Sequence, residues 1–148
     1  RQNRTCVQKP AWKPMSDRTA ASYASAELVN SYKAWTADAV AQLRHLVDSW
    51  RQERCPGDDA RQRILEIAHN IKGMGSSFGH PLMTEAGRSL CAYLRLKAGA
   101  PDELPVVEAH VESLDRILAL GPVPHDNITH AQFIAPLHRL TGLSEIEA

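Results

Sequence analysis

The chain has 148 residues, with 17 Lys+Arg against 17 Asp+Glu and a net charge of zero. One domain of this length buries roughly 70 % of its unfolded surface without staples, and the even charge argues against nucleic acid or an anionic membrane as the main partner. Three scattered cysteines, Cys6, Cys55 and Cys91, form no C-x-x-C pair, which favours reduced thiols over a disulfide framework or a zinc site. No apolar run nears the ~18 residues of a spanning helix and no secretory h-region opens the chain, so the cytoplasm is the expected compartment.

Residues 1–21 carry two prolines, many polar side chains and no periodicity, and read as a flexible N-terminal arm with Met15 a candidate start. From about Ser25 to Glu53 one long helix is predicted. Leu28, Tyr32, Trp35, Ala39, Leu43, Leu46 and Trp50 fall within about 80° on the helical wheel, a narrow bundle-type seam. Val29, Val40 and Val47 form a second apolar stripe about 100° away, which the C-terminal tail or the N-terminal arm is expected to cover. Cys55-Pro56-Gly57 stops the helix.

Asp59, with Gln62 three residues on, predicts a capping box opening a second helix that runs to about Phe78. Its apolar positions, Ile64, Ile67, Ala68, Ile71, Gly75 and Phe78, share one face at helical spacing. His69 falls on the opposite side and points to water. Lys72 and Gly73, at i+3 and i+4, are its neighbours on that outer surface, with Leu65 and Ser76 one turn to either side and Glu66 beside them. An imidazole displayed next to a fixed positive charge suits a group that accepts a phosphoryl. Gly73 faces outward, where tighter packing explains it poorly, while Gly75 faces inward, where packing explains it well.

Gly79-His80-Pro81 breaks the chain, and Pro81 suits the first position of a third helix. Met83, Ala86, Leu90, Tyr93 and Leu94 make its inner face, and Gly87 allows close helix approach. Gly99-Ala100-Pro101 ends it. A fourth helix starts near Asp102 or Glu103, tolerates Pro105 in its first turn, and buries Val107, Val111, Leu114 and Leu118 until Gly121-Pro122. Within residues 122–148, Phe133, Ile134, Leu137 and Leu140 predict one short helix after Asn127 or Thr129, packed on the bundle. The expected fold is all-α: an antiparallel up-down four-helix bundle over residues 22–121, preceded by the arm and followed by the extension. Its four seams satisfy one another within one chain, so a monomer is expected.

The pattern His69-x-x-Lys72-Gly73, with Gly79 ten residues after the histidine, resembles the histidine-containing phosphotransfer (HPt) domains of bacterial two-component phosphorelays. The resemblance covers about residues 25–120. It implies that His69 is the phosphoacceptor, that Lys72 offsets phosphoryl charge, and that Gly73 keeps the ring sterically open. It further implies a receiver domain of a response regulator as partner, or a hybrid sensor histidine kinase, with Leu65, Glu66 and Ser76 in the footprint. The receiver would supply both the phospho-aspartate and the Mg2+, leaving this chain with no cofactor or metal of its own. Histidine titrates around 6.5 when unperturbed, so its neutral, nucleophilic form is available near neutral pH. No glycine-rich nucleotide loop is present, and ATP-dependent kinase activity is not expected.

Three other readings are weaker. Glu66-x-x-His69 has the spacing of carboxylate-bridged di-iron bundles, but such sites need two inward-facing copies. A non-transferring adaptor that binds a receiver would not need the intact His69-Lys72-Gly73 set. In a dimeric kinase core the reactive histidine is followed by an acidic residue, whereas Asn70 stands here. The remaining histidines, at 45, 80, 110, 125, 130 and 138, are expected on the surface or the core rim.

Overall fold

The computed structural model describes residues 26–143; the expected arm over residues 1–21 lies outside the described residues. Five helical stretches follow in order: α1 (Ala26–Arg51), α2 (Gly57–Gly75, prolonged by a 3-10 turn at Ser76–Phe78), α3 (Pro81–Leu96), α4 (Glu103–Leu120) and α5. The last is composite, with a first turn at Asn127–Thr129, a wider π turn at His130–Ile134 and a final piece at Ala135–Thr141. Among the described residues no strand occurs, and no helix is long and apolar enough to cross a membrane.

Each of the first four helices packs on two neighbours, α1 and α3 both lying between α2 and α4. Short connections make successive helices antiparallel. The seam expected on α1 is buried from Leu28 to Leu46. Its second stripe, with Val40 and Val47 buried, is covered by α4, where Val47 shares a groove with Pro105, Ala109 and Val111. α5 packs on α3 and α4 and leaves Val47 to α4, while Val29 lines a groove with Leu118 of α4 and Pro122 at the start of the tail, and the arm offered as the other cover lies outside the described residues. The physical reason is closure of the ring: a helix with two neighbours needs two apolar stripes roughly a quarter-turn apart.

The helix boundaries differ from expectation at one cap. The Asp59–Gln62 box does not form; α2 starts at Gly57, and Pro56 in the N-cap position offers no side-chain bond. Asp58 and Asp59 instead sit in the first turn, where carboxylates interact favourably with the helix N-terminus. On α3, Pro81 opens the helix. A full side-chain cap does form at α5, where the Asp126 carboxylate accepts from the Thr129 N–H at 2.9 Å and Thr129 Oγ1 accepts from the Asp126 N–H at 3.0 Å.

Inter-helix charge pairs link α4 to α2 and to α1. Arg61 on α2 grips Glu103 at the start of α4 through two bonds of 2.5 and 2.9 Å. Glu103 is almost fully buried, and Gly99 N–H donates to it as well, so the carboxylate is satisfied on several sides. Arg44 on α1 reaches Glu112 and Asp115 on α4 at 3.0 and 2.6 Å, and Arg51 pairs with Glu108. These latter pairs are largely exposed and contribute little each.

Two expectations fail in the interior. Cys55, at the α1–α2 turn, is disulfide-bonded. Cys91 is a buried free thiol. Reduced thiols throughout were expected because spacing along the chain does not reveal which cysteines the fold brings within bonding reach. His80 and His110 are likewise core residues, 5 % and 0 % exposed. His110 Nδ1–H donates to the Val106 carbonyl at 2.8 Å, one turn back on α4, and Nε2 accepts from Ser89 Oγ of α3 at 2.8 Å. Both ring nitrogens are paired, which permits a histidine in an apolar seam.

Burial pushes His110 down to about 4. Its folded value lies below the unfolded value near 6.5, so the unfolded chain binds the extra proton between those limits. Stability from this site is therefore complete above about pH 6.5 and is lost as the pH falls toward 4, roughly 2 kcal/mol of it between pH 7 and 5. Urea unfolding of wild type and His110→Gln at the two pH values is expected to show a smaller acid loss in the variant by about that amount. Equal losses would remove His110 as the source.

Candidate functional site

The site is made by one helix with two different faces. On its inner side α2 buries Ile64, Ile67, Ala68, Ile71 and Gly75, and this fixes the rotation of the helix about its own axis. His69 is consequently exposed. Among the described residues no hydrogen bond or ion pair engages its ring, so the imidazole stands uncommitted on the surface. Lys72, one turn on, is half-buried and equally without an ion pair among those residues. It lies on the side toward α3, since the Cys91 thiol of that helix, pushed up by burial, is pulled partly back by the Lys72 and Arg95 charges.

The two nearby glycines have opposite surroundings. A Cβ at Gly73 would meet nothing within 4 Å, whereas at Gly75 it would lie 2.4 Å from Thr84 Oγ1 and 2.8 Å from both the His80 carbonyl and the Thr84 nitrogen. Gly73 thus leaves open space beside His69, and Gly75 lets the end of α2 pass tightly under the start of α3. Past that contact the chain turns away. Gly79 takes the left-handed conformation at φ 76°, the His80 N–H bonds back to the Gly75 carbonyl at 2.8 Å, and the Phe78 ring stacks on Tyr32 of α1 at 4.6 Å.

The other residues singled out in the sequence flank this turn. Leu65 is half-buried, packed partly on the core. Ser76 is exposed, its N–H donating to Thr84 Oγ1 at 2.8 Å. Glu66 is exposed and pairs with Arg63 at 2.6 Å, and its carbonyl accepts from the Asn70 amide at 3.1 Å. Hence Glu66 and Asn70 flank the histidine while directed toward their own helix. Elsewhere, His125 Nε2, just before α5, and His130 Nδ1 within it share one hydrogen bond of 2.8 Å, close to His138. Among the described residues no cluster of three or more His, Cys, Asp or Glu is arranged to hold a metal ion.

The four-helix bundle thus carries a solvent-facing imidazole with a cation one turn away and no side chain in the next position. The family model described as Hpt domain matches residues 27–121, and the chain belongs to that family. Its general role is histidine phosphotransfer in two-component phosphorelays, as a carrier and not a kinase, with receiver domains and kinases as the partners such domains meet. No curated protein and no solved structure matches the chain significantly. The matched span ends at the close of α4, leaving α5 outside it.

The contrast between the glycines sets opposite outcomes for the same substitution. Gly73→Ala should raise stability by up to about 1 kcal/mol, because alanine is the better helix former and its methyl meets open space. Gly75→Ala should lose at least 1–3 kcal/mol by overpacking against backbone. Thermal or urea unfolding of the two variants reads the signs directly, and a stabilised Gly75→Ala would show that the α2–α3 contact yields easily.

Proposed function

We propose that His69 carries the phosphoryl group, taking it from the phospho-aspartate of a receiver domain or hybrid kinase and passing it to the aspartate of a response regulator. The observation that carries this reading is the uncommitted, exposed ring of His69, held beside Lys72 and the open space over Gly73 within an Hpt domain. In the transfer a lone pair of a neutral ring nitrogen attacks phosphorus. The N–P bond forms as the O–P bond to the aspartate breaks, and the carboxylate leaves with its electron pair. The proton on the second ring nitrogen is then released to solvent.

Charge spreads over the phosphoryl oxygens in the loose transition state, so positioning and electrostatics dominate. Lys72 offsets that charge from one turn away, about 4.5 Å along the helix axis. Gly73 lets the rim of the receiver pocket close over the ring. Leu65 provides a half-exposed apolar anchor one turn before His69, with Glu66 and Ser76 at the margins of the footprint. Mg2+ is assigned to the receiver, not to this chain. The bundle acts as a monomer, since each helix finds its neighbours within one chain. The exchange is placed in the cytoplasm, where the ATP-fed kinase works. That placement rests on the partner, because the Cys55 disulfide removes the argument from reduced thiols.

Incubation with a phosphorylated receiver should give an acid-labile label on wild type and none on His69→Gln, whose helical content should be unchanged. Label retained by His69→Gln, or acquired from ATP with no kinase or receiver present, refutes the assignment.

Lys72→Ala and Gly73→Gln separate charge from clearance. Loss of the Lys72 charge should slow transfer by about tenfold or more, while receiver affinity changes by less than about fivefold. Gly73→Gln should instead weaken receiver binding while its melting temperature holds or rises, because Gln is the better helix former. Normal receiver binding by Gly73→Gln would remove the clearance role.

A further inference from the structure

A second close approach between α2 and α3, after that at Gly75, lies behind the turn that carries His69. A Cβ built on Gly87 of α3 would stand 3.0 Å from the Lys72 nitrogen, 3.2 Å from the Ala68 oxygen and 3.2 Å from the Lys72 Cα. These are backbone atoms of one turn of α2, the turn that carries His69. The Lys72 N–H and Ala68 carbonyl are the i and i−4 partners of the helical hydrogen bond that spans His69. The backbone of this turn is thus seated against Gly87, with His69 exposed on the outer face and Lys72 half-buried on the side toward α3.

No flexible side-chain end stands at this contact to give way. A methyl here requires one helix backbone to give against another by a few tenths of an ångström, and both are held by buried neighbours. Ala68, Ile71, Ala86 and Leu90 are all at most 1 % exposed. A residue with a side chain at position 87 therefore moves the turn outward or tilts it, and the imidazole and ammonium move with it.

We infer that Gly87 is a positioning residue for phosphoryl transfer: by lacking a side chain it seats α3 on the Ala68–Lys72 backbone and sets where His69 and Lys72 stand toward an incoming phosphoryl. The inference rests on the assignment of His69 as the phosphoacceptor. Gly87 touches neither the phosphoryl group nor the receiver. Its effect should appear in the transfer step and spare docking, because reactive geometry is far more sensitive to displacement than a broad surface contact is.

The test compares wild type, Gly87→Ala and a control, Ile117→Val, which removes a methylene from the core of α4 away from the α2–α3 contact. Each is mixed with a phosphorylated receiver at saturating and subsaturating concentration, well below its melting temperature, and label on the histidine is followed in single turnovers. Gly87→Ala should transfer about tenfold more slowly at saturation, with the half-saturating receiver concentration unchanged within about twofold. The control should transfer at the wild-type rate even where its melting temperature is equally reduced.

Wild-type transfer rates in Gly87→Ala would overturn the inference and leave the His69 assignment standing. An equal slowing in the control would also overturn it, since the effect would then be one of stability. Failure of wild type to take label on His69 would overturn the assignment and the inference with it. Should Gly87→Ala not fold, amide exchange in the wild-type chain decides. A Lys72 amide as protected as that of buried Ile71 supports the seat, and one exchanging as fast as the exposed-face amides overturns it.

Discussion

The structure depends on how closely α3 can lie on α2. The inner face of α2 fixes its rotation, and two contacts at glycines set its depth. Gly75 passes under Thr84 and the His80 carbonyl, and Gly87 rests on the Ala68–Lys72 turn. Backbone in contact with backbone has no rotamer with which to relax, so this seam is stiff in a way that Leu-on-Leu packing is not. A side chain projecting from the far side of such a seam inherits that stiffness. His69 therefore combines exposure with a fixed origin, the geometry that the proposed transfer would require.

The polar groups are sorted by what their surroundings can satisfy. His110 is tolerated in the core because Ser89 and the Val106 carbonyl take both ring nitrogens. Glu103 is tolerated because Arg61 and the Gly99 N–H surround it. His69 is treated in the opposite way, left in solvent with no protein partner among the described residues. Both follow from the cost of an unpaired polar group, which is high when buried and nearly absent in water.

The Hpt match ends at residue 121, yet the helical structure continues. α5 seats Ile134 and Leu137, 0 % and 2 % exposed, against α3 and α4. With α5 in place α3 is buried nearly all round, which makes it the central helix of the molecule rather than one of four equals. The extension thus backs the same helix that backs the turn carrying His69.

The sequence alone determined the helices and the outward face on which His69 stands. Alternation of apolar residues at helical spacing, interrupted at Pro56-Gly57, Gly79-His80-Pro81 and Gly121-Pro122, needs only local chemistry to be read, and the same wheel sends His69, Lys72 and Gly73 outward. It also separated outward Gly73 from inward Gly75. What the sequence did not decide depends on which elements become neighbours. Val47 in the second stripe of α1 fell to α4, Cys55 entered a disulfide, and His110 became a core residue through Ser89, 21 positions away. The Asp59–Gln62 cap was a local signal that lost to a helix starting two residues earlier. Gly87 was legible as a place of close approach, but only the tertiary structure showed that the backbone it approaches is the turn beneath His69. Periodicity reports the direction a residue faces, and packing alone reports what it faces.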